Sequence, residues 1–226
     1  MNAVVFAWPP ATRVDRLISK TELLARAGKP PGLRERLTRE LAGISWTHKL
    51  ATATLNLPAG GLPEIQVFRL QLKPGVDAAS EPLLRAVDLA IPSPLVFELA
   101  GDAGIRTVAA PKRASASAAG RQVLGDYISG DWIAADAPRQ PLPVALDMSG
   151  LHQALLRALV PLAPRRGESL EALLARLAAV RGAEREVARL QGRLHSEKQF
   201  NRKVAINREL REARSRLQAL AGHAAQ

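Results

Sequence analysis

Two carboxylates and a lysine that converge can hold a magnesium ion and stabilise charge developing on a phosphate. In this 226-residue chain Glu64, Asp88, Glu40 and Lys73 are residues of that type. Glu64 and Lys73 bracket the run Glu64-Ile65-Gln66-Val67-Phe68-Arg69-Leu70-Gln71-Leu72-Lys73, in which Gln71-Leu72-Lys73 is a degraded acid-x-Lys, while Glu40 and Asp88 fall on flanking helices. Nine strand steps of about 3.3 Å put Glu64 and Lys73 roughly 30 Å apart, too far to share a metal. Glu64 then reads as a strand-start residue, and Asp88 as a helix residue paired with Arg85 or Lys49. A divergent magnesium-dependent nuclease subunit therefore stands only as the alternative reading.

Other chemistries find less support. His48, His152, His195 and His223 are far apart with no local partner motif, so no zinc site is expected. Neither a phosphate-binding Gly-x-x-x-x-Gly-Lys-Ser/Thr loop nor a Gly-x-Gly-x-x-Gly fingerprint occurs, and Ser129-Gly130 and Ser149-Gly150 lack the frame of a nucleophile elbow. Cysteine is absent, which removes disulfides, thiolate ligands and a cysteine nucleophile. No catalytic residue, metal or cofactor is expected, and the chain is read as more a binding protein than an enzyme.

The charge points to partners. Lys and Arg number 32 against 21 Asp and Glu, a formal charge of +11. It concentrates at the two ends: Arg13 to Lys49 holds nine basic and four acidic residues, and residues 193 to 216 hold eight basic and three acidic ones. Clustered Arg and Lys are the footprint of a polyanion partner, because neutralising phosphates releases condensed counterions. The apolar runs are too short for a membrane span and the start lacks a basic leader, so a cytoplasmic protein is expected.

The elements that must position these groups follow from periodicity. Residues 1 to 43 read as short helices packing on the core, with Ser19-x-x-Glu22 as a capping box, Gly28-Lys29-Pro30-Pro31-Gly32 as a stop, and Leu33, Leu37 and Leu41 at helical spacing before Gly43. Residues 44 to 163 form an α/β core. There Ile44 and Trp46 open a strand, Glu64 to Lys73 is a central one, and Ser80-Glu81-Pro82 starts a helix. Leu95 to Leu99 and Ile105 to Ala109 make a hairpin across a loop of about five residues. The Ala-Ser run of residues 114 to 120 reads as a mobile surface loop, Val123 to Ile133 as one or two last strands, and Ser149 as the cap of another helix. The expected fold class is α+β: a small antiparallel or mixed sheet with flanking helices, followed by a long C-terminal coiled-coil helix.

That last helix, residues 168 to 221, follows the linker Pro161-Leu162-Ala163-Pro164-Arg165-Arg166-Gly167 and contains no proline. Leu170, Leu173, Leu177, Val180, Val187, Leu190 and Leu194, and then Leu210, Ala213, Leu217 and Leu220, have the three-and-four spacing of a coiled-coil seam. Unbroken, it would be about 80 Å long. The seam fails in between, so a rod competes with a reversal near Gln199 to Asn201. The rod is favoured, because no glycine or proline marks a turn there. Lys198, Arg202, Lys203, Arg208, Arg211, Arg214 and Arg216 are the candidate surface for nucleic acid or an acidic partner. Gln199, Phe200, Asn201, Asn207, Leu210 and Leu217 are the candidate docking residues, with a homodimer through the seam as one use of them.

Three segments carry a resemblance: Glu64 to Lys73, Val87-Asp88-Leu89-Ala90-Ile91-Pro92, and Glu197-Lys198-Gln199-Phe200-Asn201-Arg202-Lys203-Val204-Ala205-Ile206-Asn207-Arg208-Glu209-Leu210. With Trp46 to Leu50 and Trp132, they resemble the bacterial and archaeal domain of unknown function family 4391 over nearly the whole chain. The resemblance brings no catalytic residues. It implies a setting beside helicases of the Swi/Snf kind and DNA methyltransferases, similar to restriction and antiviral defence loci. The expectation is a non-catalytic accessory or adaptor protein of such a complex, binding a helicase or methyltransferase and double-stranded DNA.

Overall fold

A computed structural model describes residues 4–28, 30–114 and 122–222. The chain divides into two units, Met1–Pro161 and Leu162–Gln226, with the division falling at the start of the proline-containing linker. Most of the Ala-Ser run, Lys29 and His223 lie outside the described residues.

The first unit is built on a six-stranded mixed sheet with strand order β1-β2-β3-β4-β5-β8. These strands are β1 (Arg13–Leu17), β2 (Leu41–Ala51), β3 (Glu64–Leu72), β4 (Leu95–Gly101), β5 (Gly104–Ala109) and β8 (Ile128–Ser129). A separate two-stranded ribbon pairs β6 (Lys112–Ala114) with β7 (Gln122–Leu124). The stretch expected to be all helix before residue 44 therefore contributes an edge strand, β1, antiparallel to β2. Its side chains are all exposed, which leaves no apolar alternation to read in the sequence.

Strand β3 is central, as its apolar residues on both faces predict. It runs antiparallel to β2 and parallel to β4. The parallel pairing requires a crossover, which α4 (Glu81–Leu89) supplies. Helix α4 begins where Ser80-Glu81-Pro82 predicts, but Ser80 does not cap it through its side chain. Instead Glu40, at the end of α2 (Leu33–Glu40), accepts from Ser80 N at 2.8 Å and from Ser80 Oγ at 2.9 Å. Half of the expected capping box forms on α1 (Lys20–Arg26): Ser19 Oγ accepts from Glu22 N at 3.0 Å, while the Glu22 carboxylate turns to Arg16 and Arg26. Leu41 ends the helical repeat by opening β2.

Alternation along β3 divides the two faces. Phe68, Leu70 and Leu72 join Phe97, Leu99, Leu37, Leu83 and Val87 in a core covered by α1, α2 and α4. Ile65, Val67 and Arg69 point to the opposite face, where α5 (Met148–Leu159) packs across β3, β5 and β8. A bulge in β2 between Trp46 and His48 sends these residues to opposite faces. Trp46 stacks on Phe68, and His48 meets Trp8. The β4–β5 loop is two residues long, not about five, because Gly101 and Gly104 still pair. Gly104 has φ +109°, and a Cβ there would lie 1.9 Å from the Ile133 carbonyl oxygen. The expected last strands are β7 and β8. The turn helix α3 (Thr52–Leu55) links β2 toward β3.

The second unit holds two helices, α6 (Leu170–Ser196) and α7 (Phe200–Ala221). The expected single rod is not formed. Extended backbone at Glu197 and Gln199 breaks the helix, and the Glu197 carboxylate accepts the N–H groups of Lys198 and Gln199 at 2.8 and 2.9 Å. The chain then doubles back, so that Leu190 packs with Ile206, Leu210 and Ala213. The gap in the apolar seam is this reversal. A carboxylate turning on its own backbone replaces the glycine or proline whose absence favoured a rod.

Candidate functional site: a cationic helical hairpin and a polar cleft

In the second unit, local charge chemistry closes the hairpin before any cation becomes available. Arg176 Nε and Nη2 donate to the two oxygens of Glu168 at 2.7 and 2.8 Å, and Nη2 also reaches the Ala163 carbonyl at 2.8 Å. Arg165 donates to the carbonyls of Ala219 and Gly222 at 3.0 and 3.3 Å, and Arg176 to that of Leu220 at 3.3 Å. Cations thus satisfy carbonyls that the end of α7 leaves orphaned and oppose its dipole. The Arg176 hydrogen bond, with backbone N–H donation from Arg165, holds the Glu168 carboxyl down to about 2.

Of the seven predicted cationic residues, Lys198 lies in the reversal and Arg202, Lys203, Arg208, Arg211, Arg214 and Arg216 lie on α7. All are exposed except half-buried Lys203, and among the described residues none forms an ion pair. The neighbouring Arg193 of α6 does pair, with Glu209 at 3.5 Å. The docking residues divide. Gln199, Phe200, Asn201 and Asn207 are exposed, Phe200 at 77%. Leu210 is 3% exposed and Leu217 half-buried, so Leu210 belongs to the hairpin's own seam and is not free for a partner. Sequence reasoning missed Arg181, Arg185 and Arg189, which with Arg193 are spaced four apart along α6. That i, i+4 repeat was the available signal; Arg185, Arg189 and Arg193 are exposed.

In the first unit a cleft of about 440 Å³ opens where β3 and β4 begin, between the ribbon and the start of α5. Glu64 lies in it and is held by three partners: Lys49 Nζ at 2.7 Å, Gln66 Nε2 at 2.7 Å and Ser93 Oγ at 2.5 Å. Burial alone would raise the Glu64 carboxyl, but hydrogen bonds from Lys49, Ser93 and Gln66 hold it below the usual range.

Next to it, Asp88 pairs neither with Arg85, which bonds Glu81, nor with Lys49, which is taken by Glu64. Its partner is Lys112 of the ribbon, at 3.0 Å, with Tyr127 Oη donating to Oδ2 at 3.0 Å. Lys112 is also ringed by the carbonyl oxygens of Asp88, Ile91 and Ser93. Burial raises Asp88 and lowers Lys112, each partner opposing the shift of the other.

His152, on α5, lines the same cleft and is 8% exposed. Its Nε2 is buried with no hydrogen-bond partner among the described residues. Burial, helped by the Lys112 charge, lowers its pKa to about 4, so the ring is neutral.

The carboxylates considered for a metal thus serve separate tasks. Glu40 tethers the start of α4, and Asp88 sits eight residues on, about 12 Å along a helix. Glu64 is separated from Asp88 by Ser93 and Lys112. Lys73 lies past the far end of β3, where its N–H donates to the Glu40 carbonyl at 3.0 Å. Among the described residues no three His, Asp or Glu side chains gather as ligands, and His48, His152 and His195 stand on β2, α5 and α6. Among the described residues no helix is long and apolar enough to cross a membrane.

On the opposite sheet face Glu98 is fully buried. It accepts from Trp8 Nε1 at 2.7 Å, Arg69 Nη2 at 2.6 Å and Arg139 Nη1 at 2.6 Å, tying the N-terminal segment and the loop before α5 to β3 and β4. Despite its burial, donation from Arg139, Arg69 and Trp8 keeps it below the usual carboxylate range.

The architecture is therefore that of a mixed α+β sheet protein with a separate two-helix cationic unit. By sequence the chain belongs to the family described as Domain of unknown function (DUF4391), which matches residues 6–217. Neither the curated proteins nor the solved structures provide a match.

Proposed function

We propose that this chain is a non-catalytic, cytoplasmic accessory or adaptor protein of a DNA-processing complex of the restriction-like or antiviral defence type. The second unit is its nucleic-acid arm. The supporting observation is that α6 and α7 bury their shared seam within one chain while, among the described residues, Lys198, Arg202, Lys203, Arg208, Arg211, Arg214 and Arg216 form no ion pair. Cations left unpaired in this way gain most from phosphates, since each phosphate neutralised releases counterions. In this reading α6 and α7 pair as an antiparallel coiled coil, and double-stranded DNA lies along the outer face of α7. The helicase or methyltransferase implied by the sequence resemblance docks at exposed Phe200 and Val204, not at the seam. A magnesium-dependent nuclease has less support, because Glu40, Glu64 and Asp88 are each engaged at separate places.

The test is fluorescence anisotropy of a labelled duplex between about 50 and 200 mM salt, where six or more phosphate contacts predict an affinity loss of about a thousandfold with little sequence preference. The charge reversals Arg211→Glu and Arg214→Glu together should flatten that slope. A protein that fails to bind duplex even at the lowest salt would refute the arm, and co-purification with a helicase or methyltransferase lost on Phe200→Asp would support the docking tip.

A further inference from the structure

The cleft in the first unit contains more polar capacity than the fold consumes. Lys112 is saturated by four oxygens and grips Asp88, which Tyr127 also holds, so these residues are part of the frame. Three groups keep unused capacity. Among the described residues Glu64 Oε2 has a single partner, Lys49, although an ionised carboxylate oxygen offers two lone-pair sites. His152 Nε2 is buried without a partner among the described residues, a position that costs free energy unless something else bonds to it. Arg113, next to Lys112 on the ribbon, is exposed and has no partner among the described residues.

The start of α5 adds a fourth group. Met148 N–H is taken by the Pro58 carbonyl at 2.8 Å and Gly150 N–H by the Asp147 carboxylate at 2.7 Å, while Ser149 lines the cleft in the first turn, where the helix cannot satisfy its amide. Leu62, Pro63, Pro92 and Pro94 supply apolar walls between these groups. The cleft thus brings together an acceptor, Glu64, with a donor and a positive charge, Ser149 and Arg113, beside apolar walls that suit a flat ring. The volume falls in the range of small-ligand sites.

From this arrangement we propose that the cleft binds one nucleotide unit. The amino or imino edge of the base donates to Glu64 Oε2 beside the His152 ring, the base packs on the proline walls, and the phosphate is held by Arg113 and Ser149. The same chemistry belongs to a free mononucleotide and to the end of a nucleic-acid strand. This site does not depend on the cationic arm.

The experiment is calorimetric titration of the full chain with each 5′-mononucleotide and, separately, with a 5′-phosphorylated trinucleotide, alongside long-range proton–nitrogen NMR of the His152 ring. Binding should move the His152 Nε2 resonance. Arg113→Ala, a surface change that leaves the fold intact, should weaken 5′-monophosphates at least roughly tenfold while leaving the corresponding nucleosides unchanged. Glu64→Gln should lower the preference for bases that present an amino or imino donor. Mononucleotides binding as well as the trinucleotide would mark a free-nucleotide site, and trinucleotide binding alone a strand-end site; both support the proposal. No heat and no His152 shift with any of these ligands up to about 5 mM would overturn it. The Arg211→Glu/Arg214→Glu variant should bind mononucleotides normally, so failure of the arm and failure of the cleft are separable.

Discussion

Arg176 grips both oxygens of Glu168, eight residues earlier, and its remaining donors reach Ala163 and Leu220, so one guanidinium joins the linker, the start of α6 and the end of α7. Closure of the hairpin is thus set at its base as well as along its seam. Arg176→Met keeps most of the apolar stem but removes these donors. Amides in the last turn of α7 should then exchange at least roughly tenfold faster, while those of β3 and β4 keep their protection. The acid response follows from the same pair. Glu168 is held at about 2, below its usual value near 4.5, so its native form binds fewer protons than the unfolded one between those values. Its contribution is complete above about pH 4.5 and is lost as pH falls through about 2. Helicity followed against pH should show this loss in the natural chain and not in Glu168→Gln.

His152 gives the first unit a second, higher pH dependence. Its folded value of about 4 lies below the ordinary 6.5, so the unfolded chain binds the extra proton across that interval. Its neutral form stabilises the native state fully above about pH 6.5, and that stability is lost as pH falls toward 4, in total on the order of 3 kcal/mol. Urea midpoints at pH 7 and pH 5 should differ in the natural chain and differ less in His152→Gln, where His48, also lowered by burial, still contributes. Equal pH dependence in both would show that the ring titrates as in water.

Glu98 should be a costly carboxylate to remove. Glu98→Leu leaves the Arg69 and Arg139 guanidinium groups without their shared counter-ion and Trp8 Nε1 without an acceptor, and breaking a buried pair costs about 3 kcal/mol or more. Arg139→Ala should cost clearly less, because Arg69 and Trp8 still satisfy Glu98 and the Arg139 side chain is 28% exposed. Trp8 emission provides the readout: a red shift in Glu98→Leu before global unfolding would report water reaching the indole.

Much of the first unit was legible because it depends on neighbours in sequence. The alternation of Ile65, Val67 and Arg69 with Phe68, Leu70 and Leu72 marks a strand with two covered faces, and Ser80-Glu81-Pro82 marks a helix start whatever the rest of the chain does. Strand β1 was illegible for the converse reason: an exposed edge strand buries neither face and so carries no period. The candidate cations were legible as a cluster, but which of them stay unpaired was not. Arg193 finds Glu209 only because the hairpin brings residues sixteen apart together.

By itself, then, the sequence determined the central strand, the starts of α1, α2 and α4, the linker, the apolar seam and the basic end, since each is written in consecutive residues and their periods; the start of α5 was misplaced, because Asp147 and not Ser149 caps it. The tertiary structure alone decided that the seam closes on itself through Glu197, that Asp88 belongs to Lys112, and that His152 and Arg113 share a cleft with Glu64. These relationships join groups whose approach depends on the path of the chain between them, and that path is selected by the packing of whole faces, which no local pattern contains.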